Sequence, residues 1–295
     1  NLQKTTVSCN LWVSIWSYLV KNARLGYRER LKKGNSLSHS PNFIVKFAQT
    51  EQEFLAAQRL RYDVFISELG GCGNLVDHEN RLERDRFDPY FDHLILVDKA
   101  KQSDRNDGVV GVYRLMTDEK AKALGQFYSE DEYDLSKLKS SGRKLLELGR
   151  SCVHPDYRGG TALYHLWKGL SEFVLAEKIE ILFGVASFHG TDLNKFAAPL
   201  SLLHQRHLAP PELRIEAKAP SAQIMDLIPQ EYLDRRKAVL EIPALIKAYL
   251  RLGGYVGQNA FIDYDFNTTD VCLVLDIERM NGRQKNIYSK AETLT

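Results

Sequence analysis

Leu145-Leu-Glu-Leu-Gly-Arg-Ser-Cys-Val153 runs directly into His154-Pro-Asp-Tyr-Arg-Gly-Gly160 and then into a stretch with helical apolar spacing. The first segment is apolar enough for a buried strand, yet it carries Glu147 and Arg150. A buried carboxylate is costly unless it is paired or used. A strand that meets a Gly-rich turn and feeds a helix N-terminus presents backbone N–H groups and a positive dipole end, which suits an anion. Together these features point to an enzyme that holds a phosphate-bearing acyl carrier and deprotonates an amine.

The rest of the chain sets bounds on that reading. Its 295 residues suffice for one large domain or one domain with decorations, and 44% hydrophobic with 26% charged residues is ordinary for a globular core. A net charge of +2 gives no bulk basic surface, so no nucleic-acid partner is expected. Cys9, Cys72, Cys152 and Cys272 show no CxxC spacing, which argues against a zinc site or a disulfide framework and fits a reducing cytosol. Cys152 borders the turn and could be a nucleophile; its ordinary reading is a small packed strand residue. His204 and His207 lack the spacing and third ligand of a helix zinc site, so no metal is assigned.

Leu11 to Val20 is the most apolar stretch, too short to span a bilayer and with its positive charges following rather than preceding it, unlike a signal peptide. Ser14, Ser17, Lys21, Arg24 and Arg28 form one polar stripe, so residues 11–33 are predicted as an amphipathic helix suited to an anionic membrane surface. Packing on the core or on a second subunit is the alternative. The expected organisation is therefore helix and linker over 1–40, a catalytic domain over 41–280 and a tail over 281–295.

Within the domain, Phe43–Phe47 reads as a strand and Thr50 with Glu53 as a capping box opening a helix to about Glu68. Residues 69–90 read as a long functional loop. His93–Val97 and Val109–Leu115 read as paired strands, followed by a charged, helical or irregular insertion over 117–143. Then come the strand 145–153, a helix over about 160–178, a strand 181–187, a helix over about 193–207, a proline-punctuated stretch, a helix 243–252 ended by Gly253-Gly254 and a strand 271–275. Strands alternating with helices give an α/β or α+β class with a mixed sheet.

Five pieces, in order, resemble the GNAT-superfamily acyltransferases that use acyl carrier protein. They are Arg61-Tyr-Asp-Val-Phe65, Asp85-Arg-Phe-Asp88, Arg114, Glu147-Leu-Gly-Arg150 and Tyr157-Arg-Gly-Gly160. The order is similar to that of the acyl-homoserine lactone autoinducer synthases. Ala186-Ser-Phe-His-Gly-Thr191, Leu203–Pro210, Leu245–Gly253 and Thr268–Val271 extend the similarity to the L-ornithine Nα-acyltransferases of bacterial ornithine lipid synthesis, over roughly residues 43–280.

The resemblance implies a GNAT-type fold: a central mixed twisted sheet flanked by helices and split by a V-shaped opening at its fourth strand. It implies transfer of a (3-hydroxy)fatty acyl group from acyl carrier protein to the α-amine of L-ornithine, giving lyso-ornithine lipid. No bound cofactor is implied; the acyl-4′-phosphopantetheine of the carrier is the donor. The cell address implied is cytoplasmic, peripheral to the inner face of the membrane. Glu147 is the candidate base, directly or through a water, with pairing to Arg150 as its structural alternative. Arg61, Phe65, Asp85, Asp88, Arg114 and Arg150 are the candidate acceptor site, because an amino acid needs a cation for its carboxylate and carboxylates for its ammonium groups. Each could instead be ordinary packing or a surface charge network with Arg81, Arg84 and Arg86. Ser151, Cys152 and Val153, where the strand is expected to break, are the candidate oxyanion donors. Tyr157, Arg158, Gly159 and Gly160 would face the donor. This turn departs from the usual superfamily loop, which suits a single-phosphate pantetheine better than coenzyme A. Arg158 and Lys168 are candidates for steering the acidic carrier. Alternatives are another acceptor such as glycine, autoinducer synthesis, or a catalytically dead membrane-peripheral GNAT-fold module.

Overall fold

A computed structural model describes residues 41–101 and 105–280. The predicted amphipathic helix over 11–33 and the tail over 281–295 lie outside the described residues. The described chain divides into two compact units, one formed by residues up to Leu115 with Gly149–Lys178, the other by Met116–Leu148 with residues from Ile179 onward.

In the first unit, β1 (Phe43–Phe47) pairs antiparallel with β2 (Asp92–Asp98), and β2 with β3 (Val109–Thr117). Between β1 and β2 lies α1 (Glu51–Arg61). Its start is fixed as expected: Thr50 Oγ1 accepts from the Glu53 N–H, and Glu53 accepts from the Thr50 N–H. The helix expected to run to Glu68 changes character at Tyr62, becoming a π-helical turn over Tyr62–Glu68. Such wide turns interrupt the ordinary hydrogen-bond ladder and are frequent at functional sites. α1 buries Ala56, Ala57, Leu60 and, unusually, Arg61.

The other helix of this unit is named α4 in chain order, Ala162–Ala176. Ala162, Leu166, Leu170 and Val174 recur every four residues and are buried, forming the stripe that packs on β1 and β2. Gly169 lies on this helix where a Cβ would come within 2.4 Å of Val45 Cγ1, so the close approach of helix to strand requires glycine.

The second unit begins with α2 (Asp118–Leu124), β4 (Tyr133–Asp134) and α3 (Ser136–Ser140). β5 (Leu145–Val153) contributes its first residues here and its last to the first unit. Leu145–Glu147 pair in parallel with the start of β6 (Ile181–His189), ending at Glu147↔Phe183. At Gly184 a Cβ would sit 2.1 Å from the Leu148 carbonyl oxygen, so only glycine allows that approach. After α5 (Leu193–His207) come β7 (Glu216–Ala217), β8 (Ala222–Gln223), α6 (Arg235–Glu241), α7 (Ala244–Arg251), β9 (Tyr255–Val256), β10 (Ala260–Asp263) and β11 (Thr268–Asp276). β11 pairs antiparallel with β6 along its full length, from Thr268↔His189 to Asp276↔Ile181. β10 joins β11, β8 joins β10, β9 also pairs with β11, and β4 pairs with β7 in a small separate sheet. The sheet is thus mixed, as the sequence predicts. No helix among the described residues is long and apolar enough to cross a membrane.

Candidate functional site

In the first unit, three guanidinium groups and three carboxylates interlock. Arg61, with no exposed surface, donates from Nε to Glu83, from Nη1 to Asp88 Oδ1 at 2.8 Å and from Nη2 to Asp88 Oδ2 at 2.7 Å. Arg114, equally buried, donates from Nη1 to Asp88 Oδ1 at 2.6 Å and to Asp85 Oδ1 at 2.9 Å. Arg150 donates from Nε to Glu83 Oε1 at 3.1 Å, and its Nη2 lies 3.6 Å from Asp85 Oδ2. Gln58 adds a bond to Asp88 at 3.1 Å, and His93 Nε2 lies 3.6 Å from Asp88. The charges of these six ionic groups cancel. Fork-shaped guanidinium groups can satisfy several carboxylate oxygens at once, which makes such burial tolerable.

Aromatic rings frame the network. Phe91 lies under Arg114 at 4.4 Å, Phe65 faces Arg150 at 5.9 Å, and Phe54 meets the His93 ring edge-on at 5.1 Å. Burial alone would push the Glu83 carboxyl up, but Arg61, Arg150 and Arg114 outweigh it and hold it below the ordinary range. Asp85 is likewise pushed up by burial and held down by Arg114 and Arg150, and Asp88 is held far down, chiefly by Arg61 against its burial. Burial lowers the His93 pKa, so the imidazole is neutral at pH 7.

Arg61, Phe65, Asp85, Asp88, Arg114 and Arg150 are therefore brought together, and the surface network with Arg81, Arg84 and Arg86 is corrected. Arg81 pairs with Asp63 and Arg84 with Asp77, while Asp85 and Asp88 turn inward. Glu83, which joins Arg61 to Arg150, was not singled out from the sequence. Its signal was present as alternation, with Glu83, Asp85 and Phe87 directed inward and Arg84 and Arg86 exposed.

Arg150 also has φ of 48°, a left-handed conformation for a non-glycine residue inside a strand. Such a conformation costs about 1–3 kcal/mol and persists only where surrounding contacts enforce it. Here the pairs to Glu83 and Asp85 do so. The strand break expected over Ser151, Cys152 and Val153 is corrected: β5 continues through Val153, and its irregular residue is Arg150. Burial pushes the Cys152 thiol up to about 12, so it is a protonated, poorly nucleophilic group at neutral pH.

In the turn, Tyr157 is buried and its hydroxyl donates to Asp98 at 2.8 Å. Arg158 forms a two-pronged pair with Glu68. Gly159, with φ of 71°, and Gly160 are followed by the first residues of α4. Lys168 lies 3.6 Å from Glu172 on the helix surface.

In the second unit, Glu147 is buried with 1% of its surface exposed. Its Oε2 accepts from the Tyr128 N–H at 2.8 Å; its Oε1 accepts from the Ser129 N–H at 2.7 Å and from the Ser129 hydroxyl. These donors open a short 3₁₀ turn, Tyr128–Asp131, so the carboxylate ties the 117–143 insertion to β5. Nothing in the composition of that insertion marked it for this role. Glu132, Asp263 and Asp270 also bring carboxylate oxygens within 4.8 Å of one another. They come from distant parts of the chain, which is why no spacing signal exposed them.

Residues 60–168 match the acetyltransferase (GNAT) domain family. A curated relative from Rhodobacter capsulatus, an L-ornithine Nα-acyltransferase, is 54% identical over 249 residues, 84% of this chain and 95% of that protein. The chain belongs to the L-ornithine Nα-acyltransferase family. It is an acyltransferase of the GNAT type, as the order of its five sequence pieces implied. A family member from Brucella abortus is 41% identical over 83% of this chain and 88% of its own length. Among solved structures, a coenzyme A-dependent acyl-homoserine lactone synthase is similar at 14% identity and a TM-score of 0.45, over 81% of this chain and 86% of that one, a likeness too low to carry functional weight.

Proposed function

We propose that this acyltransferase moves a (3-hydroxy)fatty acyl group from the 4′-phosphopantetheine of acyl carrier protein to the α-amine of L-ornithine, giving lyso-ornithine lipid. The observation that supports it most is the 54% identity, across 95% of its length, to a protein named for that acceptor. We assign the buried network of the first unit to the acceptor. Arg61 and Arg114 hold the carboxylates in place, while Arg150, the most exposed of the three guanidiniums, meets the substrate carboxylate and Phe65 packs beside it. Asp85, less buried than Asp88, takes an ammonium group.

An α-ammonium must lose a proton before it attacks the thioester. Glu147 is the proposed base and, being buried, acts through a water. The free amine forms the new C–N bond, a tetrahedral oxyanion collapses, and the pantetheine thiol leaves with the proton. Because β5 stays extended through this segment and the His154 N–H is bonded to Val110, the Ser151 and Val153 N–H groups share the opposite side and are the ones assigned to the oxyanion. The carrier's phosphate is assigned to the N-terminal end of α4 after Gly159 and Gly160, with Arg158 and Lys168 near the carrier's acidic surface. The enzyme works in the cytoplasm against the inner membrane face, where its product partitions.

The test is acyl transfer with matched acyl carrier and acyl-coenzyme A donors at two salt concentrations. Transfer from the carrier should dominate and weaken with salt, because screening shortens electrostatic reach. Equal use of coenzyme A without salt dependence would refute the donor.

A further inference from the structure

The six ionic groups of the first unit close into a ring. In order, Arg61, Glu83, Arg150, Asp85, Arg114 and Asp88 alternate in sign, and Asp88 returns to Arg61. Five of the six links are 3.1 Å or shorter. The sixth, from Arg150 Nη2 to Asp85 Oδ2, is 3.6 Å, beyond hydrogen-bond reach.

That same link joins the two most accessible members. The Arg150 side chain is 12% exposed and that of Asp85 18%, whereas Asp88 is at 9% and the other three are at 1% or less. Each sign therefore has one reachable group, and the two are neighbours in the ring. Both are held from behind: Arg150 Nε donates to Glu83, and Asp85 Oδ1 accepts from Arg114 and from the Phe87 N–H at 2.9 Å each. Phe65 faces the Arg150 guanidinium at 5.9 Å and supplies an apolar wall beside the link.

Charge balance decides what can enter. The ring is neutral, so a ligand bringing a lone carboxylate or a lone ammonium leaves one unbalanced charge in a largely buried site, which is costly. A molecule carrying one of each lengthens the ring from six charges to eight and keeps the alternation, with its carboxylate on Arg150 and its ammonium on Asp85. Ornithine has two ammonium groups to offer. The α-amine must be a free base to attack, and an ion pair with Asp85 would favour its protonated form. The side-chain ammonium is therefore the one that suits Asp85.

We infer that the acceptor inserts into the ring at the Arg150–Asp85 link, opened by a carboxylate and a side-chain ammonium of one molecule acting together, with the α-amine taking no part in binding. This rests on the assignment of the network to the acceptor in the proposed function and specifies the ligand class that the network takes.

Calorimetry on the full chain without acyl donor tests it, so the result does not depend on the transfer reaction. The ligands are ornithine, 5-aminopentanoate, pentanoate, pentylamine and norvaline. 5-Aminopentanoate, which lacks the α-amine, should bind about as tightly as ornithine. Pentanoate, pentylamine and norvaline should each bind at least about tenfold more weakly, since each leaves a charge of the opened link unmatched. Asp85→Asn leaves the ring with one excess positive charge, so it should bind 5-aminopentanoate less well than wild type but pentanoate better. Arg150→Gln should do the reverse, gaining affinity for pentylamine. A gain of affinity cannot come from a damaged fold, and if the variants unfold the wild-type series decides alone. Pentanoate, pentylamine or norvaline binding wild type as tightly as 5-aminopentanoate would overturn the inference, as would a folded Asp85→Asn that gains nothing for pentanoate. Ornithine bound with 5-aminopentanoate rejected would overturn it too, leaving the acceptor assignment in place. Failure of ornithine itself to bind would remove that assignment and the inference with it.

Discussion

Glu147→Gln separates two things that one carboxylate can do. The carboxylate presents an acceptor to each side, one oxygen to the Tyr128 N–H and the other to the Ser129 N–H and hydroxyl. A glutamine has one acceptor oxygen. If that oxygen takes the Ser129 side, which satisfies two donors, the amide NH₂ is left against the Tyr128 N–H. A buried donor without an acceptor costs about 1–3 kcal/mol. In a chain of this size that is about 2–4 °C of melting temperature per kcal/mol. Loss of a general base costs about 10²–10⁴-fold in turnover, far more than the folded fraction would change below the melt. Ser129→Ala is the matched control. It removes only the hydroxyl donor and leaves the carboxylate and both backbone bonds, so turnover should stay within about tenfold of wild type. Acyl transfer to ornithine is measured well below both melting temperatures, with thermal melts alongside. Near-normal turnover of Glu147→Gln would refute the base. A Ser129→Ala loss equal to that of Glu147→Gln would refute it too, by tracing the deficit to order in the 128–131 turn.

Arg61→Ala leaves Asp88 and Glu83 buried with half their partners removed, so urea unfolding should show a loss of about 3–5 kcal/mol, and a loss below about 1 kcal/mol would contradict the network's tightness. Glu83, Asp85 and Asp88 have carboxyls held below their ordinary values in the fold, so their contribution is present above the unfolded carboxylate range of about 4 and is lost as pH falls below it; buried neutral His93 adds a loss beginning as pH drops through about 6.5, where the unfolded imidazole charges. Stability measured from pH 7 down to pH 3 should fall accordingly, and Asp88→Asn should flatten the lower part of that fall. Cys152→Ala should keep turnover within about threefold, since a thiol with its pKa pushed up to about 12 is not the attacking group; abolished transfer with an intact melt would point to a covalent acyl-enzyme.

The sequence revealed elements whose signals are local. Thr50 and Glu53 cap α1 where the box predicts, β2 and β3 pair as two apolar runs joined by a polar turn predict, and α7 ends before Gly253, whose φ of 94° suits its place after the helix. The site was legible in its members but not in its wiring. Arg61, Asp85, Asp88, Arg114 and Arg150 were named, yet which acid faces which arginine is settled by a π turn after Arg61 and a left-handed residue at Arg150, neither of which has a pattern in composition. Glu147 was expected to act alone or to pair with Arg150. Its donors include the Tyr128 and Ser129 N–H groups and the Ser129 hydroxyl, from an insertion about eighteen residues upstream, and a main-chain donor leaves no trace in residue identity. The short strands β7 to β10 escaped notice for a related reason: at two to four residues each, they carry too few side chains for period two to show.

The most direct test of the account is acylation of an amino-acid panel. Purified full-length chain is incubated with 3-hydroxyacyl carrier protein and equimolar ornithine, lysine, glycine and homoserine, and products are read by mass spectrometry. A site that pairs a second ammonium group disfavours acceptors that lack or misplace it, because its buried carboxylate is left unpaired. The account predicts Nα-acyl-ornithine as the dominant product. Glycine or homoserine acylated as readily as ornithine, or no product from any acceptor, would contradict it.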